Sequence, residues 1–457
     1  MSGVEATLRG WLGAKRSCVC GQIHEVHTES VFEGPLDEVL GRTAGDWSLR
    51  KRVVVGMDPR SEAAAGRTAI DALERSGYQV TGHVFGVDGK QVIPDEAAVE
   101  SISQAVRASS AQWVLGVGSG TVNDLCKYTA WKNALVYVAC PTAPSMNGYT
   151  STIAALKQRG LKVTLSCAPP VGVVVDPRVQ RESPAILRAA GFADLMSKYV
   201  CNADWLLAHM LEGGYYCEVP FHLASDATEE VACRASAIAG GDEEAVHVLS
   251  MGLLLSGVAM AVAGSSAPAS GGEHLISHYW EMLIPGCGAG RRFHGTQVGI
   301  GILVCATLYE QLKELSASEI DPEGVAAQVL PWERMEASLR AHFGSLADPV
   351  VAEARLKHRT GSQAREKAAA IRERWSGIWA RLEGILRPAD EVRDLLRTVG
   401  APVTVTDLGL DLADLRRATA FARHIRGRYT VFDFAADIGR WTEADQLATL
   451  ERSGALA

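Results

Sequence analysis

An α/β domain followed by an all-helical domain is the architecture this sequence predicts, and three observations predict it. Short β-branched runs alternate with helical patterns from about Leu49 to Asp176. That rhythm stops near Pro184, where long Ala/Leu/Arg-rich helical patterns replace it. A glycine-rich turn sits where one strand hands over to its helix. Strands that alternate with helices imply a parallel sheet covered by helices.

The elements follow in order. Arg52–Gly56 (RVVVG) reads as a strand and Ser61–Ser76 as the helix after it. Gln79–Gly86 is a further strand, and Asp95–Ser109 has the helical period. Trp113–Val117, Ala134–Ala139 and Val171–Val175 are apolar runs that end in Gly, Pro or Asp, as buried strands do. Helical patterns such as Glu366–Leu386 and Leu412–Arg426 fill the second half. The boundary falls near Arg178–Pro184, giving a domain over 1–180 and another over 181–457. With no internal repeat or long linker, a cleft between the halves is the expected site.

Composition narrows the function classes. At about 150 residues per domain, 457 residues would suggest three domains, which the element pattern reduces to two. The 45 Lys+Arg against 53 Asp+Glu leave a net charge of -8, which argues against a general nucleic-acid binder. The opening MSGVEATLRGWLGAKRS lacks the apolar run of a signal peptide, so the ten cysteines are expected to be reduced thiols in the cytoplasm. Between Glu244 and Glu273 lie 28 residues without Asp, Glu, Lys or Arg. Their Gly/Ala/Ser content, His247 and Pro268 favour a buried core helix over a membrane span. Residues 351–400 hold 11 Lys+Arg against 7 Asp+Glu, which reads as a solvated face or subunit contact before a nucleic-acid surface.

Two segments carry the signs of a nucleotide site. After WVLGV comes Gly116-Val-Gly118-Ser119-Gly120-Thr121-Val122, opening a helical pattern that includes Lys127. Glycines at a strand-to-helix turn let backbone N–H groups approach a phosphate, although a tight turn alone would also use them. The spacing is neither the Walker form nor G-x-G-x-x-G, because Thr121 stands where the third glycine would be. The next strand ends in Cys140-Pro141-Thr142-Ala143-Pro144-Ser145-Met146-Asn147-Gly148-Tyr149-Thr150-Ser151. That segment is expected beside the glycine turn, at the carboxyl edge where open α/β sheets bind ligands.

Two further constellations suggest metals. Asp194 and Lys198 stand four apart in GFADLMSKY, as do His274 and His278 in GGEHLISHYWEM, and His294 opens HGTQVGIG. Two imidazoles and a carboxylate form a plausible three-ligand set with an open position. Near the start, Cys18-x-Cys20-Gly-x-x-His24-x-x-His27 has the look of a zinc knuckle, with a structural turn as the plainer reading.

The ordered runs GSGTVNDLCKY, PTAPSMNGYTS, GFADLMSKY, GGEHLISHYWEM and HGTQVGIG resemble the sn-glycerol-1-phosphate dehydrogenase family, most closely its bacterial AraM-type branch. That family sits in the superfamily of iron-containing alcohol dehydrogenases, glycerol dehydrogenase and dehydroquinate synthase. The likeness extends from CVCGQIH to HIRGRYTVFDFAADIG, almost the whole chain. It implies a Rossmann-like α/β cofactor domain and an all-α metal- and substrate-binding domain, the dehydroquinate synthase-like fold. It also implies NAD or NADP and one divalent metal, nickel, zinc or iron. By position, Gly118, Ser119, Gly120, Thr121 and Val122 resemble the pyrophosphate loop. Thr142, Ala143, Pro144, Ser145 and Ser151 resemble the segment holding the rest of the cofactor, and Asp58 a cofactor-contacting aspartate. Asp194, His274 and His294 match the metal ligands, with Asp194 and His278 also facing substrate and His278 a candidate proton donor. One position departs: the family pattern Ser-x-Asp-Gly here has Asn147, which cannot serve as a carboxylate acceptor or base.

The resemblance implies reversible NAD(P)-linked reduction of dihydroxyacetone phosphate to sn-glycerol 1-phosphate, a step of phospholipid metabolism. The alternatives are a dehydrogenase of another small polyol or ketose, or a sugar-phosphate cyclase of the same superfamily. The expected partner is a small phosphorylated ketose or polyol, with no nucleic acid and no membrane span. A homodimer or larger homo-oligomer is the family expectation.

Overall fold

A computed structural model describes residues 2–86, 92–287 and 290–456. Ten strands are present among them: β1 (Lys15–Ser17), β2 (Ile23–Glu25), β3 (Ser30–Glu33), β4 (Arg52–Met57), β5 (Gln79–Val84), β6 (Trp113–Gly118), β7 (Val136–Pro141), β8 (Ile153–Gln158), β9 (Leu161–Ser166) and β10 (Gly172–Val175). Six of them form one sheet in the order β3-β10-β7-β6-β4-β5, and every pair in it is parallel. The expected strands are all there, within two residues of their expected ends. The chain divides into two compact units. One comprises Met1–Leu195, Cys217–Ala269 and Thr398–Gly400, the other Met196–Tyr216, Ser270–Arg397 and Ala401–Ala457.

In the first unit the sheet is buried on both faces, which explains why its strands read as unbroken apolar runs. Val54, Val114, Ala139 and Val173 pack on one side with Ile102, Val122 and Leu125. Val53, Val55, Leu115, Val138 and Val174 pack on the other with Leu40, Ala69 and Leu73. This is the period of two expected of side chains along a strand. From β4 the chain crosses to β5 on one side and returns to β6 on the other. The carboxyl ends of β4 and β6 therefore flank a topological switch point, where such sheets bind ligands.

Several elements differ in detail from the sequence expectation. The helix after β4 runs as Pro59–Ser61, a π-helical Glu62–Gly66 and Arg67–Arg75. A Cβ at Gly66 would lie 2.5 Å from Met57 Sδ, so the glycine lets that turn close on the strand. The antiparallel hairpin of β8 and β9 was not foreseen; Arg159 (φ +50°) and Gly160 (φ +81°) make its two-residue turn. The apolar stretch becomes helix Glu243–Ala263, long and apolar enough to cross a membrane but mostly buried inside the protein. It packs on helices Gly3–Trp11 and Glu218–Ala232 of the same unit. Residues 217–269 thus belong to the same compact unit as the sheet.

Every regular element among the described residues of the second unit is a helix. The expected helix Glu366–Leu386 is two helices, Gly361–Glu373 and Trp375–Leu382. Arg374 breaks it (φ −98°, ψ 6°), and its guanidinium donates to Met210 O. Leu412–Arg426 is α-helical only to Phe421 and then tightens to a 3-10 turn, Ala422–His424. Phe421 is held there by His342, stacked on its ring at 3.7 Å. Much of the basic excess in 351–400 is engaged in ion pairs: Lys357 with Asp433, Arg359 with Glu212 and Asp437, and Lys367 with Glu212.

Candidate active site

In the first unit the glycine turn is built by close approach. Gly118 ends β6, and a Cβ there would lie 2.6 Å from Val122 Cβ; a Cβ on Gly116 would lie 2.6 Å from the Tyr137 hydroxyl. Helix Gly120–Lys132 starts directly after Ser119, whose extended backbone makes it the N-cap without a capping bond from its side chain. The N-terminal amides of this 13-residue helix thus keep their donors for an anion, which the helix dipole favours. Asp58 directly follows β4, and its Oδ1 accepts from the N–H groups of Arg60 and Ser61 (2.9 and 2.8 Å). The expected cofactor aspartate is therefore also a helix cap, and these bonds engage only one of its oxygens.

The two expected cofactor segments meet. The Thr142 N–H donates to Gly118 O at 3.2 Å, so the loop after β7 is tied to the glycine turn. Tyr149 donates to Ala143 O (2.7 Å) and Ser151 to Gly148 O (2.9 Å), folding residues 142–151 on themselves. Lys127, to which the sequence had given no role, is fully buried and donates to Gly148 O (2.8 Å) and Ser151 Oγ (3.2 Å). It clamps the loop to the helix that follows the glycine turn.

Asp194 lies in helix Ala185–Met196 and is 1% exposed. Its Oδ2 accepts the backbone N–H of Asn147 at 2.9 Å, which joins the departing loop position to the expected metal ligand. The helix comes this close because residue 191 is glycine: a Cβ there would lie 1.9 Å from Pro144 O. Asn147 Nδ2 is buried and has no hydrogen-bond partner among the described residues. Lys198 does not share the Asp194 helix as the spacing suggested, because Ser197 separates it onto Lys198–Glu212.

In the second unit the three expected histidines cluster. His274 and His278 lie one turn apart on helix Gly272–Leu283, and His294 begins helix His294–Lys313. The His274 and His294 ring centroids are 5.1 Å apart, and His278 stacks on His294 at 5.6 Å. His274 Nδ1 lies 2.7 Å from Glu273 Oε1. His294 Nδ1 faces Glu281 Oε1 at 3.3 Å and Ser277 Oγ at 3.1 Å. A neutral imidazole that donates Nδ1–H to a carboxylate carries its lone pair on Nε2, the arrangement metal-ligating histidines use. The donor set thus fits a divalent cation.

Glu273 and Glu281 were not found by sequence reasoning, although Glu273 adjoins His274. Glu273 is fully buried and also accepts the Gly271 N–H (2.8 Å). Behind it, Asp204 accepts from the Gly272 N–H, the Tyr309 hydroxyl and the Val431 N–H. Burial pushes the Asp204 carboxyl up to about 8, and the charge of Glu273 adds to the rise. Arg428, from the family-like HIRGRYT run, donates to Ser270 O and braces the entry to the His274 helix.

The N-terminal knuckle differs from its expected composition. Cys18, Cys20 and His24 converge, but His27 is turned outward with its side chain 64% exposed. The fourth member is Cys217, which no spacing signal had connected to them.

Comparison with known proteins follows the same line. A family model for iron-containing alcohol dehydrogenase matches residues 34–184. The glycerol-1-phosphate dehydrogenase (NAD(P)+) of Geobacillus thermodenitrificans is 33% identical over 287 residues, 63% of this chain and 71% of that protein. That of Geobacillus stearothermophilus is 28% identical over 442 residues, 94% of this chain and 98% of that one. Among solved structures, a probable glycerol dehydrogenase from Sinorhizobium meliloti superposes with a TM-score of 0.59 at 18% identity, covering 94% of this chain and 98% of that chain. An archaeal halo-thermophilic alcohol dehydrogenase from a Red Sea brine pool gives 0.59 at 15% identity over the same shares.

Proposed function

Because this chain belongs to the glycerol-1-phosphate dehydrogenase family of NAD(P)-dependent oxidoreductases, we propose that it reversibly reduces dihydroxyacetone phosphate to sn-glycerol 1-phosphate. The observation that carries the reading is the pair of imidazoles, His274 and His294, each with Nδ1 set against a carboxylate. In this reading Asp194, His274 and His294 hold one divalent cation. When bound, the nicotinamide supplies hydride chemistry and the cation supplies Lewis acidity toward a carbonyl oxygen.

The chain's own groups do the remaining work. The amides at Gly120, Thr121 and Val122 receive the cofactor pyrophosphate, and the Lys127-clamped loop holds Thr142, Ala143, Pro144, Ser145 and Ser151 along the rest of it. Asp58 offers its second oxygen to the same cofactor. His278, half-buried beside His294, delivers the proton to the substrate oxygen, while Asn147 and Asp194 face the substrate hydroxyls. Cytoplasmic location and a homodimeric or larger assembly belong to the same reading.

Asn147 favours one second reading. Its amide replaces the carboxylate of the family pattern, which suits a related small polyol or ketose as substrate. A single experiment separates the two. NAD(P)H oxidation is followed after chelation and add-back of nickel, zinc or iron, with dihydroxyacetone phosphate, dihydroxyacetone and other small ketones. Turnover of the phosphate ester restored by a cation supports the proposal. Turnover of only an unphosphorylated ketone overturns the substrate, and full activity in metal-stripped His274→Ala protein overturns the cation's role.

A further inference from the structure

The β1–β2 hairpin raises a question that apolar packing does not answer. Each strand has three residues, and of these six only His24 is buried. Val19 and Ile23, which a core could have used, are exposed. A short two-stranded hairpin is marginal without a hydrophobic face, so another interaction must fix it.

That interaction centres on sulfur. Cys18 and Cys20 sit in the turn between the strands, where the Gly21 N–H donates to Cys18 O and Gly21 adopts φ +84°. The left-handed glycine folds the turn back so that both thiols come to the same side as the ring of His24. Cys217 enters as the N-cap of helix Glu218–Ala232, which belongs to the same compact unit. A helix N-terminus favours a thiolate over a thiol.

We propose that Cys18, Cys20, His24 and Cys217 form a closed, structural zinc site that ties the hairpin to this helix. The distances are those of a coordination polyhedron. Tetrahedral zinc with Zn–S of about 2.3 Å and Zn–N of about 2.0–2.1 Å has S–S edges of about 3.8 Å and S–N edges of about 3.6 Å. Cys18 Sγ and Cys217 Sγ are 3.7 Å apart, and His24 Nε2 lies 3.5 Å from Cys20 Sγ and 3.4 Å from Cys217 Sγ. The separation of the two sulfurs is nearly twice a disulfide bond, about 2.0 Å. His24 also has the second shell of a ligand: Nδ1 lies 2.8 Å from Val262 O, so its proton goes to that carbonyl and Nε2 keeps the lone pair. Three thiolates and one imidazole select zinc over the hard cations, and four protein donors leave no open position for substrate. None of the four ligands belongs to the cofactor or catalytic-cation set.

The test uses the full-length protein purified under reducing conditions. Cobalt exchanged into it reports sulfur ligation by thiolate-to-cobalt charge-transfer bands, which an Asp/His/His site cannot produce. The bands are expected in the wild type and in His27→Ala, and are expected to vanish in Cys20→Ser and Cys217→Ser. Those two variants should also carry less zinc, by about one atom per chain. Peptide mapping of the wild type keeps the proposal testable where a variant fails to fold. Cys18, Cys20 and Cys217 should resist alkylation until zinc is chelated. Alkylation at the same rate with or without chelator, a native Cys18–Cys217 disulfide, or a cobalt spectrum without sulfur bands each overturns the site.

Discussion

The backbone N–H of Asn147 donates to Asp194 Oδ2 at 2.9 Å, so a loop position that departs from the family pattern orients the carboxylate proposed to ligate the cation. The bond comes from the main chain, and replacing the side chain leaves it in place. Asn147→Ala is therefore expected to raise KM for dihydroxyacetone phosphate about tenfold, the loss of roughly one hydrogen bond. Metal content should stay at the wild-type level. Steady-state kinetics with elemental analysis checks both, and a variant that loses its cation would show that the side chain acts through Asp194 instead.

Glu273 holds His274 by the Nδ1 side at 2.7 Å. Glu273→Gln keeps the volume but removes the anionic acceptor that fixes the tautomer. Such orienting partners are worth about 10–100-fold in metal affinity. Competition against a chromogenic chelator should show a loss of that size, with NADH binding to the first unit unchanged.

Gly118 owes its identity to space rather than to an unusual φ, since its absent Cβ would lie 2.6 Å from Val122 Cβ. Gly118→Ala forces the turn apart and should cost about 1–3 kcal/mol of stability, as overpacking does. NADH affinity, read by fluorescence titration, should fall at least about tenfold as the amides shift. Adding Val122→Ala should recover most of the stability. No recovery would mean that Val122 is not the obstacle.

His424 links the second unit to pH. Burial, helped by the charges of Arg423 and Lys357, pushes it down to about 3, while Asp433 opposes the fall and His358 adds slightly to it. The unfolded imidazole titrates near its ordinary value of about 6.5. Between those values the unfolded chain binds the proton that the folded one refuses, so the contribution of His424 to stability is full above about 6.5 and is lost as pH drops toward 3. His424→Gln should flatten that slope in denaturant titrations from pH 7 to pH 4. An unchanged slope would assign the acid sensitivity to other groups.

The parallel sheet, the glycine turn and the pairing of His274 with His278 are legible in the sequence. Each of those is a local property: β-branched runs, a missing Cβ at a strand end, or two residues one helical turn apart. The sequence also placed Thr142 near Gly118, because consecutive parallel strands put their carboxyl ends side by side. What long-range packing controls is visible in the folded chain alone. Helix Glu243–Ala263 joined the sheet unit because its apolar faces found partners in Gly3–Trp11 and Glu218–Ala232, which no periodicity records. Glu273 and Glu281 became partners of His274 and His294 through side-chain direction, and Lys127 became a clamp through burial. The N-terminal cysteines show the division most sharply. Spacing pointed to His27, three residues after His24, but beyond the end of β2 that ring is turned to solvent. The fourth donor instead lies 193 residues from His24 at the start of a helix, a proximity that only the folded chain creates.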